Sequence, residues 1–239
     1  MLNRTSGIFL VSSAINTKFG VFDSLNRIQQ TLDTISSIRR LVNNVKIILL
    51  EMAAIPLTEE QKIIFRPVVD EIIEFHSNPE VQNIYKDKNW DIVKNVTEVT
   101  CFALALDSLI TDSKLSESDR VYKISGRYSL NEKFNHNFHC AYEKIIVSKR
   151  RRSQFSFVLT GGVRYQYMSR LWSWPTILSP TILNVYKEGL IYIKNQISRG
   201  GYCDIEHMLY KFLPEYQVLQ VEFVGIEGML GPNGSYVED

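Results

Sequence analysis

The amino-acid sequence predicts an α/β fold, a mixed and mostly parallel central sheet flanked by helices and contained in a single domain. Three observations carry this. Residues 7–15, GIFLVSSAI, and 45–53, VKIILLEMA, are continuous apolar runs without the alternation of a half-exposed strand, the pattern of strands buried on both faces. An amphipathic helical stretch lies between them, so residues 7 to 53 read as a strand, helix and strand crossover unit. The 239 residues, 45% of them hydrophobic, suffice for one sizeable core, and no repeat or low-complexity linker divides them.

The elements follow in order. In the first helix Asp23 is placed to cap, and Leu25, Ile28, Leu32, Ile35 and Val42 recur at three- and four-residue spacing on one face. After Pro56, TEEQKIIFR opens with an N-cap and an acidic first turn, and DEIIEFH follows as a short third strand. NPEVQNIYKDK is a short helix or loop. A longer helix from Trp90 to Ile110 turns Trp90, Val93, Val96, Ala103, Leu106 and Ile110 inward, with Asn95 and Glu98 elsewhere on its surface. The fourth strand, RVYKISGRYSL at 120–130, is interrupted by Gly126, and the polar NEKFNHNFH after it is rich in turn residues. Further on, KIIVSKRRR and QFSFVLTGGVRYQY are predicted strands. ILNVYKEGLIYIKNQI and DIEHMLYKFL are predicted helices, and VLQVEFVGIEG is a last strand.

Charge and composition exclude several classes. The 27 basic and 26 acidic residues are interspersed, so no global field favours nucleic acid or an anionic surface, and any anionic ligand must be held locally. Cys101, Cys140 and Cys203, an odd and widely spaced set, suit buried, reduced thiols and a cytoplasmic location. The opening MLNRTSGIFLVSSAI lacks the pattern of a cleaved leader, and no apolar stretch is long enough for an integral membrane segment. Neither GxxxxGK[ST], GxGxxG after the first strand nor GxSxG is present, which argues against P-loop, dinucleotide-binding and nucleophile-elbow chemistry.

A few constellations remain. His136, His139 and Cys140 could reach one metal from a helical turn, but no second ligand group follows, so exposed loop histidines are the expectation. Lys149, Arg150, Arg151 and Arg152 could clamp phosphates or form a solvated edge; nucleic acid is not the expected partner. Trp172 and Trp174 could stack on a sugar ring or pack in the core. In DRVYKISGRYSL, Gly126 allows close backbone approach to a ligand and Arg127 supplies a permanent charge. At the carboxyl end of a parallel strand that pair suits a diphosphate; an internal salt bridge for Arg127 is the alternative.

The opening IFLVSSAIN, the long helix leading into DRVYKISGRYSL, and the closing GGYCDIEHMLYKFL with VGIEGMLGPNGSYVED together resemble the glycosyltransferases of the A-type, nucleotide-diphospho-sugar transferase fold, and the small bacterial or viral members of polysaccharide synthesis in particular. The resemblance implies a nucleotide-sugar donor, a glycan or lipid-linked acceptor and one domain over 1–239, with residues 1–130 as the nucleotide-binding half and 131–239 as the acceptor half. Where that fold commonly places an Asp-x-Asp metal motif, this chain has Ser125, Gly126 and Arg127. The implied expectation is transfer with no metal and no other cofactor, Arg127 neutralising the diphosphate with help from Lys123. By position, Ser12, Ser13 and Ala14 fall to the nucleotide, and Asn95 and Glu98 to the nucleotide or donor sugar. Lys123, Ser125, Gly126 and Tyr128 complete the donor set. Glu206 is the best match to a general base, with Asp204 or His207 as alternatives. Trp172, Trp174 and His207 are the expected acceptor contacts. A sugar nucleotidylyltransferase is disfavoured because SSAINTKFG lacks a glycine-rich loop, and a non-catalytic binding protein of the same fold is the remaining alternative.

Overall fold

A computed structural model describes residues 5–230 and 234–239. Residues 1–4 of the opening MLNRTSGIFLVSSAI and residues 231–233 within the closing VGIEGMLGPNGSYVED lie outside the described residues.

The amino-terminal half alternates as its pattern predicts. Strand β1 (Gly7–Ser13) leads through a loop to helix α1 (Ser24–Leu41), whose N-cap Asp23 accepts from the Asn26 amide. Strand β2 (Val45–Glu51) follows, then α2 (Glu59–Phe65), opened by a Thr58–Gln61 capping box. Next come β3 (Glu71–Glu74), α3 (Pro79–Ile84) and the long α4 (Trp90–Thr111), the two helices capped by Asn78 and Asn89. Strand β4 (Arg120–Ser125) ends where β5 (Tyr128–Leu130) begins, and the short helix α5 (His136–Ala141) comes next. The second half comprises β6 (Ile145–Ser148), β7 (Arg151–Arg152), β8 (Tyr165–Gln166), β9 (Leu171–Pro175), α6 (Ser179–Ser198), α7 (Ile205–Phe212), β10 (Val218–Val221), β11 (Ile226–Met229) and β12 (Tyr236–Glu238).

Seven strands form the central sheet in the order β10-β6-β9-β4-β1-β2-β3. Every neighbouring pair is parallel except the two made by β9, which runs antiparallel to β4 and β6. Both faces are covered, which explains the unbroken apolar runs. Ile8, Leu10, Ile48 and Leu50 face a core shared with α4, α6 and α7, whereas Phe9, Val11, Ile47 and Leu49 face α1 and the smaller β12-β11-β5 sheet.

Where the structure departs from the sequence-based expectations, a glycine or an exposed side chain is usually the cause. The 120–130 strand divides at Gly126 and Arg127, and β5 leaves the main sheet to pair with β11. The predicted last strand divides into β10 and β11 at Gly225, whose φ of +81° and approach to the Phe134 backbone exclude any side chain. QFSFVLTGGVRYQY is mostly a loop, turned by Gly161 and Gly162 at φ of +62° and +93°, and only Tyr165–Gln166 is strand. Leu25, at the first turn of α1, is exposed, and Trp90 and Ile110 at the ends of α4 are only half-buried. Cys140 is exposed, although Cys101 and Cys203 are buried as expected.

Candidate functional site

The parallel register aligns the carboxyl ends of three central strands: Ser12 of β1 lies opposite Leu50 of β2 and Ser125 of β4. A cleft opens above this edge. Its floor is Ser12 and Ser13, the Met52–Ala53 segment after β2, and Ser125 and Gly126. Gly126 fits closely there: its amide donates to the Ser12 carbonyl at 2.8 Å, and a Cβ would sit 3.0 Å from the Thr31 hydroxyl and 3.2 Å from the same carbonyl, so the neighbours would have to give way slightly. One wall is a face of α4, carrying Trp90, Lys94 and Glu98 at four-residue spacing. Phe19 in the loop after β1 and Tyr85 after α3 add aromatic surface.

The loop that follows β1 is held from within. Buried Arg27 donates to three of its carbonyls, Phe22 at 2.9 Å, Phe19 at 3.1 Å and Ala14 at 3.2 Å. From outside, the Lys18 amide donates to the Tyr85 hydroxyl at 2.7 Å, and its ammonium donates to the Tyr85 and Asp87 carbonyls. Glu51, fully buried at the end of β2, accepts from the Ser13 hydroxyl at 2.6 Å and from the Ile15 amide at 2.9 Å. Burial pushes its carboxyl up to about 7, against the opposing pull of those hydrogen bonds.

That shift has a sign. The folded chain holds the Glu51 proton over a range where the unfolded chain has released it. Stability is therefore greatest below the ordinary carboxylate value and falls as pH rises towards 7, by about 3 kcal/mol in all. Glu51→Gln reproduces the protonated group, its amide oxygen accepting from Ile15 and its amide nitrogen donating to Ser13. Urea unfolding at pH 5 and pH 8 should show this variant more stable than the parent at pH 8 and nearly equal to it at pH 5; equal pH dependence in both proteins would refute the assignment.

The cleft is rich in cations. Arg27 and Arg127 both line it, and the Arg27 guanidinium is lowered first by burial and next by the charge of Arg127, while Glu51 pulls it the other way. Lys94 lies over the Trp90 ring at 5.1 Å. Glu98, beside Lys94, is paired with Lys123 at 2.9 Å. Burial would raise the Glu98 carboxyl, but the Lys123 ammonium outweighs it and the carboxyl stays below its ordinary value. Further along α4, Glu206 in the first turn of α7 accepts from the Ser169 hydroxyl at 2.6 Å. Its carboxyl is raised by burial and by the neighbouring Asp204, while Lys94 pulls it down. Asp204 caps α7, accepts from the His207 amide, and meets the His207 ring at 2.6 Å.

The structure thus gathers Ser12, Ser13, Ala14, Glu98, Ser125, Gly126 and Arg127 at one cleft, with Glu206 within electrostatic reach of its Lys94 and Glu98. Other expected site residues are corrected. Lys123 is fully buried and donates to Glu98 and to the Ser169 carbonyl, so its charge is committed inside the fold. Asn95 is buried outside the cleft lining, and Tyr128 is buried in the second core against the Arg127 and Arg170 guanidiniums. Trp172 and Trp174 are fully buried, packed against each other, Tyr186 and Phe102, and are core residues instead of acceptor contacts. His207 is fully buried between Asp204 and the Ser153 hydroxyl and presents no face to an acceptor. The exposed-histidine expectation also fails: His139 is buried against Ser173 and His136 bonds to the Tyr122 hydroxyl at 2.8 Å. Phe19, Arg27, Glu51, Tyr85 and Lys94 were not foreseen as site residues.

No protein-family model and no curated protein sequence matches the chain. Among solved structures it is similar to core-mannan synthase A from Aspergillus fumigatus in its Mn/GDP form, with a TM-score of 0.52 and 11% identity, over 96% of this chain and 77% of that one. At that identity the likeness is one of fold. It corrects one expectation: a structure of this fold is in a Mn/GDP form, so the absence of Asp-x-Asp at Ser125, Gly126 and Arg127 does not license a chain without a metal cofactor. The cleft residues alone do not form a cage for one. Among the described residues no three His, Cys, Asp or Glu side chains group to hold a metal, and Glu98, the carboxylate lining the cleft, is taken by Lys123. The mixed, mostly parallel sheet and its flanking helices have the A-type glycosyltransferase-like fold.

Proposed function

We propose that this protein is a glycosyltransferase moving a sugar from a nucleotide-activated donor to a glycan or lipid-linked acceptor, with residues 1–130 taking the donor and 131–239 the acceptor. The observation that carries this reading is the cleft at the carboxyl ends of β1, β2 and β4, where aromatic surface from Phe19, Tyr85 and Trp90 adjoins the charges of Arg127 and Lys94. An aromatic face receives a nucleobase, and cations lining the cleft receive a diphosphate.

In this reading Ser12 and Ser13 face the nucleoside, and Arg127 and Lys94 hold the diphosphate. Glu206, whose raised carboxyl places it nearer the working pH, takes the proton of the acceptor hydroxyl. The acceptor oxygen then bonds to the anomeric carbon as the bond from that carbon to the diphosphate breaks. The charge left on the departing nucleoside diphosphate is stabilised by Arg127 and Lys94. Lys123 acts one layer below, fixing Glu98 and through it the wall of the cleft.

The test is a thermal-shift series of the full chain with GDP, UDP, CDP and ADP, each with and without manganese, because a ligand bound only by the native state raises the melting temperature. The GDP and manganese combination comes first because core-mannan synthase A is in that form. A shift with one nucleoside diphosphate, abolished by Arg127→Ala, is expected; no shift with any would overturn the reading.

A further inference from the structure

We propose that residues 149–164 form a docking element that seats this protein on an anionic lipid surface. The segment begins with the basic run Lys149, Arg150, Arg151 and Arg152 and continues into Phe155, Phe157, Val158 and Leu159, all four of which are exposed, Phe157 by 50% and Val158 by 88%. Apolar side chains in a frayed loop would mean little, but this loop is tied down. The Ser153 amide donates to the Arg164 carbonyl at 2.9 Å and its hydroxyl bonds to His207 at 2.8 Å. The Leu159 carbonyl accepts from the Tyr202 amide at 2.8 Å. The Tyr192 hydroxyl donates to the Thr160 and Gly161 carbonyls, and Thr160 closes the turn onto Val163 at 2.7 Å. The fold therefore holds an apolar tip in water, which a soluble surface ordinarily avoids.

The surrounding charge fits one kind of partner. Arg164 lies over Phe157 at the apolar tip, and Arg150 lies over Tyr165 at the base of the segment. Lys149 and Arg151 reach Glu222 and Asp239 at the base of the segment, and Arg152 is exposed. Cations beside and below protruding Phe, Val and Leu match phosphodiester headgroups above an acyl interface. A nucleic acid would also satisfy the cations and could stack on the phenylalanines, but it would leave Val158 and Leu159 in water. Among the described residues no helix is long and apolar enough to cross a membrane, so the contact would be peripheral.

The position adds to this. The segment leaves the carboxyl end of β6, and because β9 is antiparallel to both β6 and β4, β6 has the same direction as β4, so the segment leaves the sheet on the edge where the cleft opens. Its tether to His207 places it beside the helix that carries Glu206. A lipid-linked acceptor would then be delivered towards Glu206; that last link rests on the glycosyltransferase reading, whereas the docking does not.

The experiment is sedimentation of the full chain with vesicles of phosphatidylcholine alone and of phosphatidylcholine with phosphatidylglycerol, at low and high salt. Binding to the anionic vesicles only, weakened by salt, is expected. Val158→Asp, at an exposed position, should lower vesicle affinity at least ~tenfold without moving the melting temperature, and Arg150→Ala with Arg152→Ala should do the same. No pelleting with anionic vesicles, equal binding by these variants, or tighter retention on single-stranded RNA than on anionic vesicles would overturn the proposal. The nucleotide shift is read separately: a chain that pellets but shows no nucleotide shift loses the donor reading and keeps the docking surface.

Discussion

Glu206→Gln is expected to lower turnover by roughly two to four orders of magnitude while nucleotide-induced stabilisation stays at the parental level. The substitution preserves shape and leaves an amide oxygen to accept from Ser169, which donates to Glu206 at 2.6 Å, so the first turn of α7 should persist. What it removes is the capacity to take a proton. The parental rate should also fall as pH drops through a carboxyl held above its ordinary value by burial and by Asp204, and that acidic limb should vanish in the variant. Arg127→Ala makes a second arm, losing about two to three orders of magnitude because charge on the departing diphosphate is no longer met. The measurements are steady-state rates against the donor identified by thermal shift, with melting temperatures as the folding control. A Glu206→Gln protein that turns over at the parental rate would remove Glu206 from the chemistry and leave the donor cleft standing.

The sequence carried the frame of the fold further than the details of the site, and the reason is physical. Strands buried on both faces announce themselves as unbroken apolar runs, so β1 and β2 were legible, and the cap residues Asp23 and Thr58 marked helix starts because orphan amides need acceptors. Gly126 was legible as the interruption of the 120–130 run, while its packing against Thr31 of α1 and the Ser12 carbonyl was not. The aromatic and cationic parts of the cleft were not. Phe19, Tyr85 and Lys94 come from a loop, a helix end and a helix face far apart in sequence, and no local spacing joins them. Trp172 and Trp174 misled for the opposite reason. Alternating aromatics suit a sugar platform and a buried strand equally, and only the pairing of β9 between β4 and β6 places them inside. No local spacing marks Arg27 either, yet its guanidinium serves the backbone of the loop that shapes the cleft.

The Lys123–Glu98 pair should give the largest stability effect, and an asymmetric one. Lys123 has no solvent-exposed side-chain surface, whereas Glu98 retains 20% and has Lys94 nearby. Glu98→Ala strands an ammonium in the interior with only the Ser169 carbonyl at 2.8 Å, and an uncompensated buried charge costs about 3 to 5 kcal/mol. Lys123→Met strands a carboxylate that still reaches water and Lys94, so its cost should be nearer about 1 to 2 kcal/mol. Combining Glu98→Ala with Lys123→Met removes the stranded charge and should recover most of the loss. Chemical unfolding of the two single variants and the double variant reads this in one series. Equal losses in the two single variants would show that the pair is wetter than its burial indicates, and would return Lys123 to the set of residues able to meet a donor diphosphate.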